Sequence, residues 1–102
     1  MNYNVRLIPS AREDFNKLDG RERLIVAKKL KRLSSNPFLG QKLGKRAGID
    51  LTGYFKLYAD KKHLRIVYRC IGDQVDIEII AIGPREGLEV YRKAEKRAMK
   101  DR

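Results

Sequence analysis

Residues 64–82 read LRIVYRCIGDQVDIEIIAI, two runs of β-forming residues around Gly72-Asp73. Apolar residues recur with period two on both sides, which predicts an antiparallel hairpin with a two-residue turn at that glycine. In this register Ile71 faces Gln74, Cys70 faces Val75 and Arg69 faces Asp76. Tyr68 then opposes Ile77, Ile66 opposes Ile79 and Leu64 opposes Ala81, so one face of the hairpin is apolar. With a loop at 60–63, a preceding strand at 54–59 adds Phe55, Leu57 and Ala59 to that face. Alternation leaves Tyr54, Lys56 and Tyr58 on the opposite face, beside Arg69, Val67 and Arg65. That second face is expected to meet solvent.

The remaining chain supplies the cover for the apolar face. Residues Tyr3 to Ile8 alternate and predict a short first strand. Pro9-Ser10 opens a helix, with Ser10 and Glu13 in capping-box spacing. Asp19 and Glu22 repeat that spacing before RERLIVAKKLKRLSS, whose stripe is Val26, Ala27, Leu30 and Leu33. Asn36-Pro37 ends this second helix, because a residue before proline avoids helical angles. Residues 38–53 carry four glycines and read as a loop. The segment from about 87 to 99 is helix-compatible, highly charged and weakly apolar. The expected architecture is one α+β domain over residues 1–102. It has an N-terminal strand, a helical hairpin, an antiparallel sheet of three further strands and a charged C-terminal helix.

Composition narrows the function classes. In 102 residues, 24 Lys and Arg stand against 13 Asp and Glu, a net charge of +11. Such a surface attracts polyanions, nucleic acid first among them. Cys70 is the single cysteine, which excludes an intramolecular disulfide and a cysteine-based metal site. No apolar run is long enough to span a bilayer, and the first residues do not read as a signal peptide. A cytoplasmic protein without a membrane partner is therefore expected.

The chemistry-bearing residues gather toward one end of the second face. Lys56, Tyr58 and Arg65 share it, and unlike Arg69 they have no acid opposite them. The GPREGLEVY stretch, residues 83–91, then delivers Arg85 and Tyr91 to the same end. Arginine offers a planar fork to two phosphate oxygens, lysine a compact charge, and tyrosine a stacking surface for unpaired bases. Such cations also stabilise the extra charge that builds when an RNA 2′-OH attacks its own phosphate, a route that requires no metal or cofactor. Lys56 serves as a base only where it is uncharged, a state that a neighbouring cation favours. His63, the single histidine, falls at a turn and reads as a surface residue. Taken one at a time, these residues also fit an ordinary solvated surface or partly buried packing. From residue chemistry alone the reading is a small basic α+β domain suited to RNA.

The motifs GYFKL, LRIVY and IGPREGLEVY, with the leading YNVRLIPSAREDFNKL, resemble the RelE/ParE superfamily of toxins, RelE branch, over nearly the whole chain. The resemblance implies a toxin of a type II toxin–antitoxin pair that enters the ribosomal A site and cuts messenger RNA by 2′-OH attack. It places Lys56, Arg65, Arg85 and Tyr91 on the family's active positions. By the same resemblance the arginines stabilise phosphate charge, the lysine assists proton transfer and the tyrosine orients a base. One position departs: the family carries a second lysine where this chain has Tyr58. Tyr58 shares the face with Lys56 and is suited to stacking or proton transfer, while Lys61 and Lys62 supply nearby positive field. The implied partners are a cognate antitoxin in a hetero-oligomer, the ribosome with its rRNA, and mRNA. Two alternatives stay open, a ParE-like inhibitor of DNA gyrase and a catalytically weak relative that binds antitoxin or RNA.

Overall fold

The computed structural model describes residues 3–72 and 76–100. The first strand, β1, is Val5–Leu7, followed by helices α1 (Pro9–Lys17) and α2 (Gly20–Ser35). The chain then forms β2 (Gln41–Lys42), β3 (Lys45–Arg46) and β4 (Ile49–Asp50). Three longer strands follow, β5 (Phe55–Ala59), β6 (Leu64–Ile71) and β7 (Asp76–Pro84), and α3 (Glu89–Lys100) closes the described chain. The main sheet has the order β1-β7-β6-β5-β2, with β1 parallel to β7 and the other neighbours antiparallel.

Local chemistry accounts for the helix starts. Asp19 forms the expected capping box: its Oδ1 accepts the Glu22 N–H at 2.7 Å, and Glu22 Oε1 accepts the Asp19 N–H at 3.1 Å. The box expected at Ser10 and Glu13 does not form, because α1 starts at Pro9 with Ile8 as its cap and no side-chain cap bond. Proline tolerates the first helical position, where its missing N–H costs nothing, and it holds Ile8 extended. Of the stripe foreseen on α2, Val26 and Leu33 are buried, Leu30 is half-buried and Ala27 is exposed.

The β5–β6 register is the expected one, with Phe55, Leu57 and Ala59 opposite Tyr68, Ile66 and Leu64. The β6–β7 register differs in two places. Ile71 pairs with Asp76 and Arg69 with Glu78, two residues beyond the predicted partners. The predicted turn at Gly72-Asp73 lies partly outside the described residues. A bulge at Val67/Tyr68 then shifts the register again, so Ile66 meets Ile82 and Val67 meets Ala81. A bulge adds a residue to one strand and reverses the faces beyond it. Ile82 therefore joins the core under the helical hairpin, while Ala81 passes to the other side.

Both faces of the sheet carry helices. The hairpin α1–α2 covers one face with Ala11, Val26 and Leu33 packed on Leu57, Ile66, Tyr68, Ile77 and Ile79. Helix α3 covers the other with Val90, Tyr91, Ala94 and Ala98 against Val67, Ile80 and Ala81. The expectation of a solvent-facing surface at Val67 is thus corrected: this residue is fully buried. Small alanines in the stripe of α3 let it lie close on the sheet, though its mean hydropathy is low. The presumed 38–53 loop is also structured. Gly40 N–H donates to the Tyr68 hydroxyl at 2.8 Å, which in turn donates to the Pro37 carbonyl at 3.0 Å. A Cβ at Gly40 would stand 2.5 Å from the Lys56 carbonyl oxygen, so only glycine lets the chain pass there. Ala47 and Gly48 both have positive φ, 52° and 78°, and close the β3–β4 hairpin.

Strand β1 covers β7 only from Ile77 to Ile79. Beyond it, side chains complete the edge. Asp14 of α1 accepts the Ile82 N–H at 3.0 Å. Lys93 and Arg97 of α3 donate to the Ile82 and Ile80 carbonyls and also to Asp14, at 3.1 Å from Lys93 and 2.7 Å from Arg97. Burial pushes the Asp14 carboxyl up, and hydrogen bonds from Arg97, Ile82 and Lys93 outweigh it, so it lies below its ordinary value. A carboxylate with a lowered folded-state pKa contributes stability that is fully present above its unfolded value and lost as pH falls through the folded one. Asp14→Ala should cost about 3 kcal/mol at neutral pH, as expected when a buried ion pair loses one partner. Thermal melts between pH 3 and 7 should show the gap between wild type and Asp14→Asn narrowing on the acid side, from about pH 4 downward.

Candidate functional site

A cavity of about 230 Å³ opens between the sheet, the β3–β4 hairpin and the start of α3. Lys56 and Tyr58 enter from β5, Arg65 from β6 and Tyr91 from α3. Tyr58 and Arg65 are direct cross-strand neighbours, and Lys56 sits two residues before Tyr58 on the same face. The register foreseen from the sequence brings these three together. Packing of α3 brings the fourth.

Arg65 is the centre of the arrangement. Its guanidinium carbon lies 5.6 Å from the Tyr58 ring centroid and 5.1 Å from that of Tyr91. Both rings offer π-faces to the cation. Its Nε is buried and has no hydrogen-bond partner among the described residues. A buried guanidinium N–H without a partner is costly, and the Arg65 side chain also lines the cavity. Tyr91 is itself buried and so holds Arg65 from the side of the helix.

Lys56 Nζ donates to the Tyr58 hydroxyl at 3.1 Å and lies 5.1 Å from its ring centroid. The hydrogen bond from Lys56 pulls the Tyr58 phenol below its ordinary value; slight burial opposes this, and the charges of Lys56, Arg65 and Arg85 add to it. Lys62 Nζ stands 5.8 Å from the same ring. It belongs to the β5–β6 turn, where Asp60, Lys61 and Lys62 have φ of 49°, 53° and 74°. Three consecutive non-glycine residues in the left-handed region are strained and need outside support. Arg21 supplies it with two hydrogen bonds to the Asp60 carboxylate, at 2.8 and 3.2 Å. Lys61 is exposed on that turn.

Arg85 is not part of the cavity wall. Its N–H donates to the His63 carbonyl at 2.9 Å, which extends the β6–β7 ladder past Leu64 and Pro84. It lines a neighbouring concavity with His63, Asp60 and Glu86, and its charge still reaches Tyr58. His63 is exposed on the turn, as expected. Sequence reasoning missed Arg46, Ile49 and Leu51, which line the cavity from the β3–β4 region. Their signal was the Ala47-Gly48 turn, a two-residue connection between short polar strands that reads as plain loop. Arg69 is elsewhere and paired: its guanidinium meets Glu78 at 2.8 Å and the Tyr54 hydroxyl at 3.2 Å.

A sheet with two helices on one face, one on the other and a cavity beneath the last lined by Arg46, Lys56 and Arg65 defines a small basic α+β protein. Comparison with known proteins then gives the family. No protein-family model matches the chain. A RelE-like toxin protein of Escherichia coli is 35% identical over 97 residues, covering 95% of this chain and 98% of the relative. The free toxin RelE of Escherichia coli, solved as a mutant, superposes with a TM-score of 0.72 at 28% identity, covering 95% and 98% of the two chains. The toxin–antitoxin complex RelBE2 of Mycobacterium tuberculosis gives a TM-score of 0.69 at 29% identity, over 83% of this chain and 100% of the other. The chain belongs to the RelE-like toxin family.

The unsatisfied Arg65 leads to a direct measurement. Inorganic phosphate should raise the melting temperature of the wild type, because a ligand bound only to the folded state stabilises it, by about 2.7 kcal/mol at ~100 times Kd. Arg65→Gln should abolish most of that rise, whereas exposed Arg92→Gln should leave it intact.

Proposed function

We propose that this protein is the toxin of a toxin–antitoxin pair and that it cuts messenger RNA in the ribosomal A site by attack of the message's own 2′-OH. The observation that carries this reading is Arg65, a cation with a buried unpartnered N–H, flanked by two tyrosine rings and adjoined by Lys56 through Tyr58. A scissile phosphate would meet the Arg65 guanidinium where that side chain lines the cavity. As charge builds on its oxygens, Arg65 binds the transition state more tightly than the ground state. Arg85 adds a second guanidinium from the rim, and Lys56 supports proton transfer. Tyr91 fixes Arg65 and guides a base, while Lys61 and Lys62 draw in the RNA backbone.

The route needs no metal or cofactor, since the nucleophile belongs to the substrate. An antitoxin partner is supported by the Mycobacterium tuberculosis neighbour, which was solved as a toxin–antitoxin complex. A net charge of +11 suits an acidic partner segment and rRNA alike. Among the described residues no helix is long and apolar enough to cross a membrane. The proposed place of action is the cytoplasm, where ribosomes translate.

Translation of a defined message in a purified system, followed by primer extension, tests the reading. Wild type should produce breaks within the translated region, and Arg85→Ala should lower the rate about 10²–10³-fold, the usual cost of a lost charge-stabilising donor. Its melting temperature should stay unchanged, because the Arg85 side chain is exposed. Intact message beside folded wild-type protein rejects the proposal.

A further inference from the structure

The cavity holds a proton-transfer pair that the residue types alone do not single out. Among the described residues, no side chain lining it is a carboxylate or a histidine. The groups facing its interior are Lys56 and Tyr58 on β5, Arg65 on β6, Tyr91 on α3 and Arg46 on β3. Lys62 approaches Tyr58 from the turn, and the charge of Arg85 reaches it from the rim. The arginines stay protonated and cannot accept a proton. Tyr91 is buried with its ring against Arg65. Two residues remain, Lys56 and Tyr58, and they are joined by a 3.1 Å hydrogen bond in which the lysine donates and the phenol oxygen accepts.

We propose that Tyr58 is the general base of this site, taking the proton of the attacking ribose hydroxyl while Lys56 protonates the leaving oxygen. The inference rests on the RNA-cleaving reading above and adds the identity of the proton carriers. The hydrogen bond from Lys56 and the charges of Lys56, Arg65 and Arg85 make the phenol a readier proton donor than a free tyrosine and stabilise its anion. The direction of the Lys56 hydrogen bond agrees, since it stabilises negative charge on the phenol oxygen. Tyr58 is half-buried and lines the cavity directly, so a substrate can reach its oxygen.

The step balances. The 2′-OH proton passes to the Tyr58 phenolate as the O2′–P bond forms. The P–O5′ bond breaks, and the 5′ oxygen takes a proton from the Lys56 ammonium. The products are a 2′,3′-cyclic phosphate and a 5′-hydroxyl. The pair is left as phenol and amine, and transfer of one proton across their hydrogen bond restores phenolate and ammonium.

The test uses the full chain and a defined message on translating ribosomes. Tyr58→Phe keeps the ring beside Arg65 and removes only the oxygen. It should fold with an unchanged melting temperature and cleave about 10²–10⁴-fold more slowly, the usual range for a lost general base. Fluorotyrosine placed at position 58 lowers the pKa of the phenol. It should move the rising limb of the pH–rate profile toward lower pH. Apart from activity, ultraviolet difference titration of wild type against Tyr58→Phe should show one of the 5 tyrosines ionising before the others. Cleavage by Tyr58→Phe at the wild-type rate overturns this proposal and leaves RNA cleavage standing. A slow Tyr58→Phe with an unmoved limb in the fluorotyrosine protein also overturns it, in favour of a positioning role. Failure of the wild type to cleave at all overturns both readings.

Discussion

The carboxylate of Asp14 closes a stretch of the β7 edge that no strand covers, and the placement of α3 over the site depends on that closure. Strand β1 is three residues long and leaves β7 uncovered beyond Ile79. Exposed ladder groups at that edge would be open to pairing with another chain. Here Asp14, Lys93 and Arg97 satisfy the Ile80 and Ile82 groups and bind one another at the same time. The network joins α1, β7 and α3, which otherwise lie on separate faces. Tyr91 is two residues before Lys93 on the helix so anchored, and it is Tyr91 that presses Arg65 into place. A structural ion pair thus sets the position of the Tyr91 ring against Arg65.

A second constraint runs along the opposite edge of the site. The β5–β6 turn holds Asp60, Lys61 and Lys62 in a conformation that L-residues avoid. The bidentate contact with Arg21 and the hydrogen bonds between His63, Asp60 and Arg85 hold it there. The turn and the exit of β7 are consequently one rigid rim. That rim carries Lys62 and Arg85, two charges that act on Tyr58 without lining its cavity. Positive charge is concentrated from three directions around the Tyr58 phenol and the Arg65 guanidinium. Tyr91 of helix α3 covers the guanidinium from the far side.

Much of this could be read from residues in order. Alternation in FKLYA and LRIVYRCI determined which side chains share a face, and the structure has Lys56, Tyr58 and Arg65 together for that reason. The Asp19 and Glu22 spacing announced a helix start because the capping bonds are local. The bulge at Val67/Tyr68 was not legible, since Ile79, Ile80, Ala81 and Ile82 are all apolar and fit either face. The cover of α3 was not legible either. Its buried stripe includes two alanines among lysines and arginines, and alanine signals burial weakly.

The sequence alone determined the elements, the basic charge and the cation–tyrosine face, because period, capping and alternation act within a few residues. Tertiary structure decided what became of that face. It placed Tyr91 over Arg65, drew Arg46 in from a presumed loop and moved Arg85 to the rim. Among the described residues it also left the Arg65 Nε without a partner. These outcomes depend on contacts between residues far apart in the chain, where packing and charge across space, and no local period, choose the arrangement.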